Sequence, residues 1–382
     1  MMPKSIAIRL LLVTLLGMPF GGAQAEDRLP IAAKVNNQPV EFAFDTGSEA
    51  SFLFRSAAER LGLKITKVVD KEPPPPGRVH FDLAEGCQVD FGDGPHKADI
   101  AVIDDLPTRA PFDGAISWTT LSNRVFQLDL ERGIYKFPAE LPAEAKDWTR
   151  WQMVPDTDIV MFESSSGKES VRIGLDTACP DGVLLNPWRW QKWRAERVGK
   201  PAMLSAGYVL ADGLLVNEVF RAKQITIGGI TLEDVPVTAA SPSADIAFKH
   251  CDAILGLYAF RRMAVIVDGK NKAVYTHPIT RALDEYAYNH LGAVFIPKDS
   301  AKSDDLIARV LKDSPADRAG IRDGDVLLKI GLLNVTKWRN DPTITLNRYW
   351  AQADGTKLKL TLKRGDKQYE TTVKLEELPA VD

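Results

Sequence analysis

The chain has 382 residues, enough for two or three domains that each bury a core of their own. Apolar residues make up 45% and charged residues 26%, the balance of an ordinary globular protein rather than a fibrous or disordered one. The formal net charge of −3 gives no electrostatic footing for nucleic acid.

Residues 1–25 stand apart from any fold. Lys4 and Arg9 precede the apolar run LLLVTLLGMPF, and GGAQA then supplies small residues for a cut after Ala25. This is the pattern of a secretory signal, too short in its apolar core for a comfortable membrane span. The expectation is an exported protein, periplasmic or secreted, with no integral membrane segment once the signal is removed. No Cys follows the run closely enough to suggest a lipid anchor. Loss of Lys4 and Arg9 takes the charge from −3 to −5. Cys87, Cys179 and Cys251 remain, which leaves open one disulfide with a leftover thiol, or buried free thiols.

Residues 26–140 and 150–278 read as two copies of one unit. VNNQPVEFAFDTG and SGKESVRIGLDTA each give strand, turn, strand and then Asp-Thr-small. AAERLG (57–62) parallels RAERVG (194–199), QVDFGDG (88–94) parallels QITIGGI (224–230), and 112–137 parallels 251–276 without a gap. Apart from two helices the pattern is short alternating strands with Gly and Asp turns, so both copies are expected to be β-rich. KEPPPPGR (71–78) is a stiff extended piece inside the first copy, and 138–148 and 277–290 read as connectors.

A single Asp-Thr-Gly is usually only a turn. Here VEFAF delivers Asp45 to the end of a strand, a helical stretch follows, and the arrangement returns at Asp176 behind VRIGL. Two carboxylates brought together from two similar lobes cannot both ionise, so they share a proton and their pKa values split. One then serves as base toward a water while the other donates to a carbonyl oxygen. Such chemistry needs neither metal nor cofactor. Gly47 lets backbone N–H groups approach the carboxylate, and the Thr46 and Thr177 hydroxyls can hold the loops from behind.

With these residues the chain resembles an aspartic peptidase of the retropepsin–pepsin class, over roughly residues 30–276. Phe44-Asp45-Thr46-Gly47-Ser48 matches the Asp-Thr-Gly motif, and Ile254-Leu255-Gly256 matches the later hydrophobic-hydrophobic-Gly element. The resemblance implies a pair of β-barrel lobes, Asp45 and Asp176 as catalytic residues, and Thr46, Gly47, Thr177 and Ala178 in support. It also implies a peptide or unfolded protein as substrate. Two positions depart from the pattern: Ala178 stands where Gly is usual, and Ala115-Ile116-Ser117 ends in Ser rather than Gly, which is expected to shift the loop behind Asp45. The family's mobile hairpin has a counterpart in MLSAGYVLADGLLV (203–216), where Tyr208 is either a substrate contact or an exposed hairpin aromatic. RVHFDLAEG (78–86) is the first-lobe candidate and lacks a Gly-rich tip.

Residues 289–380 differ in character. Ser314 caps a short helix that Pro315 opens and Gly320 ends, and Asp323-Gly324 turns the chain into the strand VLLKI. Ser-Pro-Ala, Ala-Gly-Ile and Gly-Asp-Val at this spacing resemble a PDZ domain, a small β-sandwich or barrel with short helices. The resemblance implies that a C-terminal peptide adds as a strand beside the loop at Leu291 and Gly292.

NPWRWQKWRAERV (186–198) could be read as a membrane-surface or nucleic-acid helix. The duplication instead makes it a packed amphipathic helix capped by Asn186. The five histidines show no metal-binding spacing. The expected protein is thus mostly β: an exported two-lobed aspartic endopeptidase with a C-terminal PDZ domain. The alternative is a degenerate, non-catalytic peptide-binding scaffold, favoured by Ala178 and Ser117.

Overall fold

The computed structural model describes residues 18–19, 28–69, 74, 78–92, 94–106, 112–166, 169–200, 202–279, 286–299, 303–341 and 344–382. Most of the expected signal segment, six of the eight residues of KEPPPPGR and much of the 277–290 connector lie outside these residues. A two-residue strand, β1 (Met18–Pro19), precedes the first lobe.

The first lobe begins with the hairpin β2 (Pro30–Val35) and β3 (Gln38–Asp45), turned by Asn36 and Asn37. Both asparagines have positive φ, which is what a two-residue hairpin turn needs and what Asn tolerates. Then follow β4 (Phe52–Phe54), α1 (Arg55–Arg60), β5 (Ile65–Thr66), β6 (Asp82–Asp90), β7 (His96–Ile103), β8 (Gly114–Ser117), α2 (Trp118–Leu121), β9 (Val125–Asp129) and β10 (Ile134–Lys136). Strands β2 to β8 form one 7-stranded sheet in the order β2-β3-β8-β4-β7-β6-β5.

From β12 onward the second lobe follows the first strand for strand, with β11 ahead of it and α4 inserted before β18: β11 (Thr149–Met153), β12 (Met161–Ser166), β13 (Glu169–Leu175), β14 (Val183–Leu185), α3 (Pro187–Ala195), β15 (Met203–Val209), β16 (Gly213–Ile227), β17 (Ile230–Ala239), α4 (Pro242–Ala247), β18 (Ala253–Leu255), β19 (Met263–Asp268) and β20 (Ala273–Pro278). In each lobe the Asp-bearing strand pairs parallel with the later apolar strand: Phe42, Ala43, Phe44 and Asp45 face Gly114, Ala115, Ile116 and Ser117. Ile173, Gly174 and Leu175 face Ala253, Ile254 and Leu255 in the same way. The two registrations are alike, and Ser117 pairs in register with Asp45 at the end of β3.

The lobes are joined by more than a linker. β9 of the first lobe pairs with β19 of the second, so both contribute to a 13-stranded sheet. One apolar core runs through the two lobes, from Val35 and Phe44 to Phe162, Leu255 and Val274. Behind Asp45, Phe44 meets Phe126 and Phe137 with ring centroids 4.9 and 5.3 Å apart. Packed rings of this kind stiffen the strand that ends at the carboxylate.

Helix α3 is capped by the Asn186 side chain, which accepts from Arg189 N–H, with Pro187 at its first turn. Trp190 and Trp193 pack on Phe220, whereas Trp188 remains 52% exposed. The helix therefore rides on the sheet, as the repeat demands. Among the described residues no helix is long and apolar enough to cross a membrane.

The C-terminal unit has its own core, built from Leu291, Phe295, Ile321, Leu360 and their neighbours. Its strands are β21 (Ala293–Pro297), β22 (Leu306–Val310), β23 (Val326–Ile330), β24 (Leu333–Asn334), β25 (Lys357–Arg364) and β26 (Lys367–Lys374), with the short helices α5 (Pro315–Arg318) and α6 (Asn347–Trp350). The sheet runs β21-β22-β23-β25-β26, so β21 lies at an edge. Ser314 caps α5 through Asp317 N–H, and Gly320 and Gly324 carry the left-handed φ that their turns require.

Candidate active site

Asp45 sits at the last position of β3 and Asp176 just past the last residue of β13, each fully buried. The two loops hold their carboxylates alike. Asp45 Oδ1 accepts from Gly47 N–H at 2.9 Å, and Asp176 Oδ1 accepts from Ala178 and Cys179 N–H at 2.9 and 3.0 Å. Neither Gly47 nor Ala178 adopts positive φ, so the second lobe's extra methyl group meets no backbone penalty.

The threonines hold the opposite loop rather than their own. Thr46 Oγ1 donates to Leu175 O and Thr177 Oγ1 donates to Phe44 O, both at 2.7 Å. In return, Thr46 N–H donates to Thr177 Oγ1 at 3.1 Å and Thr177 N–H to Thr46 Oγ1 at 3.0 Å. Each hydroxyl spends its proton on one carbonyl and receives one N–H, so four reciprocal bonds lock the lobes directly beneath the carboxylates. The sequence placed these hydroxyls behind the loops; it did not show that each would cross to the other lobe.

With both Oδ1 atoms tied to backbone, Oδ2 of Asp45 and Oδ2 of Asp176 are buried and have no hydrogen-bond partner among the described residues. An unpaired buried carboxylate oxygen is costly in structure and therefore meaningful in function. Burial pushes Asp45 up to about 7, opposed by the Gly47 N–H, Arg28 and the Ser48 N–H. Burial also raises Asp176 well above the usual carboxylate range, and the nearby Asp45 charge raises it further. Two buried carboxylates that repel each other titrate as a pair, one retaining a proton after the other has lost it.

Three contributors escaped the sequence reading. Arg28 is buried, and its positive charge lowers the pKa of Asp45, Asp176 and Asp181. Asp181 is raised by burial and accepts from Tyr286 Oη at 3.5 Å. Arg28 has no motif of its own, and Tyr286 lies in the stretch that reads as a connector. Only the tertiary approach of these segments marks them.

The 203–216 segment forms the expected hairpin, β15 against β16, with pairing that runs from Met203↔Val219 to Val209↔Gly213. Tyr208 is partly buried, not an exposed tip residue. With Leu210 it packs on the first-lobe cluster of Phe52, Phe54 and Phe112, which also contains Ala178. At the tip, Asp212 Oδ2 accepts from the Ser243 Oγ–H at 2.6 Å and from Ser243 N–H at 3.1 Å. The outer edge of β15 pairs antiparallel with β1, Met18↔Tyr208 and Pro19↔Gly207. The first-lobe counterpart is smaller: β5 pairs with β6 through Ile65↔Ala84 and Thr66↔Leu83 only.

All three cysteines are buried free thiols. Cys179 and Cys251 share an apolar cluster with Leu184 and Ile254 but form no disulfide.

In the C-terminal unit, Leu291 is fully buried and Gly292 has φ +71°. A β-carbon at Gly292 would stand 2.3 Å from Ser314 Cβ, so only Gly fits that turn. These two residues lie apart from Asp45 and Asp176, in the turn that leads into the edge strand β21.

Comparison with known families agrees with the geometry in both places. Residues 31–72 match the model of an aspartyl protease family, and residues 290–375 match that of a PDZ domain. The C-terminal unit is a PDZ domain. The aspartyl protease match covers β2 through the Asp45 loop and α1, and stops well before Asp176. No curated protein matches the chain.

Proposed function

We propose that this protein is an aspartic-type endopeptidase whose catalytic pair is Asp45 and Asp176. The observation that carries the reading is the pair of buried Oδ2 atoms, without a hydrogen-bond partner among the described residues, on loops cross-locked by Thr46 and Thr177. In the monoanion one carboxylate removes a proton from an attacking water, while the protonated partner donates to the scissile carbonyl oxygen. On collapse of the neutral diol intermediate the C–N bond breaks, the protonated carboxyl gives its proton to the leaving amine nitrogen, and the ionised carboxylate takes a proton from one diol hydroxyl, so the dyad ends with the single proton it began with. The Oδ1 bonds keep both carboxylates oriented through the cycle.

A substrate strand has a natural place along the outer edge of β15, which already accepts an extended backbone in β1. Tyr208 and Leu210 would close over its side chains. The PDZ domain supplies a second peptide-binding element. Export is part of this reading and rests on the leader pattern of residues 1–25 alone.

The alternative of a non-catalytic scaffold drew on Ala178 and Ser117. Ala178 N–H holds Asp176 as Gly47 N–H holds Asp45, and Ser117 keeps the strand register, which supports the enzyme reading over the scaffold. The test is digestion of an unfolded protein across a pH series, with and without a statine-type transition-state mimic. Inhibitable cleavage that disappears in Asp45→Asn is the expected result. Tight peptide binding without turnover would restore the scaffold.

A further inference from the structure

The PDZ domain does not hang free of the lobes; it rests on the base of the β15–β16 hairpin. Val294 and Ile296 of β21 pack against Leu204 and Ala206 of β15, with Leu214 and Val216 alongside. Alternate residues of β21 thus have separate duties, since Ala293 and Phe295 belong to the PDZ core. The hairpin is fixed at both ends, at the tip through Asp212 and Ser243 and at the base by the PDZ edge strand.

One side chain ties the hairpin and the PDZ loop together. Asn289 Nδ2 donates to Leu204 O at 3.0 Å and to Ala293 O at 2.9 Å, while Asn289 Oδ1 accepts from Leu291 N–H at 3.0 Å. The Asn289 N–H also points at Met203 Sδ, 3.1 Å away. The amide is therefore fully committed, with its oxygen on a donor of the Leu291–Gly292 turn and its nitrogen bridging that turn to the hairpin. Among the described strands, β21 pairs only with β22, so its other edge is the one an added peptide strand would use.

We infer that the PDZ domain is a clamp on the hairpin, and that an extended peptide ending in a free carboxylate releases it. A carboxylate arriving at the turn competes for Leu291 N–H with Asn289 Oδ1. Once that bond is lost, Asn289 no longer has its orientation fixed, and Nδ2 leaves Leu204 O. A strand laid along β21 also meets β15 at its base. Peptide at one domain thereby loosens the cover of the cleft in another, a coupling carried by a discrete element with two arrangements. The inference uses the hairpin's place over the proposed cleft but not the proposed chemistry, so each can fail without the other.

Hydrogen exchange of the full-length Asp45→Asn protein tests this without any need for turnover. Asn289→Ala and Val294→Ser, singly, are expected to raise exchange of β15 amides at 203–206 about tenfold, the scale of one lost hydrogen bond or packing contact. Strands 306–310 and 326–330 should keep their protection, which shows that the PDZ fold is intact. A synthetic decapeptide with an apolar last residue and a free carboxylate should produce the same rise, and its C-terminal amide should not. Unchanged exchange at 203–206 in both variants overturns the clamp. An acid peptide that fails to bind at millimolar concentration, or binds without altering the hairpin, overturns the release.

Discussion

The two Asp loops reach the same end by different packing. In the second lobe a β-carbon on Gly256 would stand 2.3 Å from Asp181 O and 2.9 Å from Cys179 O, so the backbone passes where no side chain fits. The matching first-lobe position is Ser117, whose hydroxyl lies 3.2 Å from Ser51 Oγ and 2.7 Å from Thr119 Oγ1. Ser117 N–H in turn donates to Ser51 Oγ at 3.0 Å. One loop is braced by close backbone contact and the other by a small network of hydroxyls. A duplicated chain can let its halves diverge in packing provided the carboxylate keeps its N–H donors and its threonine keeps its partner across the interface.

The first way to break this comparison is at the carboxylates. If the halves are chemically equivalent, Asp45→Asn and Asp176→Asn should each reduce kcat by about a thousandfold or more with the fold preserved, measured by peptide hydrolysis and circular dichroism. A surviving rate in one variant alone would make the pair unequal.

The bracing predicts unequal stability at the matched positions. Gly256→Ala must push backbone apart and should cost about 2–4 kcal/mol in denaturant unfolding. Ser117→Ala removes hydroxyl bonds without a clash and should cost about 1 kcal/mol. Equal losses would mean that the close approach at Gly256 is relaxed in solution.

Charge gives a third test. The Asp45 pKa is raised in the folded state from 3.8 to about 7. The folded protein therefore holds a proton that the unfolded chain has released, so this contribution is complete below pH 3.8 and is lost as pH rises through about 7. Asp45→Asn should flatten the fall in stability across that window and raise Tm at neutral pH. The same displacement moves the monoanionic dyad upward, so the rising limb of kcat/KM should lie well above the ordinary Asp value. Arg28→Met, which removes a charge that lowers both carboxylates, should carry the limb higher still. A limb near pH 4 in both proteins would overturn the assignment of these shifts.

The smallest effect is expected at Ala178. Its φ is one that Ala adopts freely, so Ala178→Gly should cost about 0.4–1 kcal/mol through the entropy of the unfolded chain, with kcat unchanged. A faster Gly variant would show that the methyl group crowds the site.

Much of the local structure could be read from the sequence because short-range chemistry dictates it. Asn36-Asn37 makes the first turn, Asn186-Pro187 opens α3, and Ser314-Pro315 opens α5; each signal lies within a few residues of its effect. The strand ending in Asp45 was visible through VEFAF, and its twin through repetition. Arg28, Tyr286 and Asn289 were not, because each lies in a segment without a periodic pattern and acts on residues distant in sequence. Even Thr46 and Thr177 were expected to brace their own loops, and each instead bonds across to the other lobe.

The sequence by itself determined that this chain would carry two carboxylate mounts on a β-rich repeat, followed by a PDZ unit, since alternation, capping and turn chemistry are written into neighbouring residues. Only the tertiary structure decided that both outer oxygens are buried without a hydrogen-bond partner among the described residues, that the threonines cross between lobes, and that Asn289 joins β21 to the hairpin. Those outcomes depend on burial and on contacts across 129 to 133 residues, as in the Thr46 and Thr177 bonds, and no local pattern encodes which distant group will arrive.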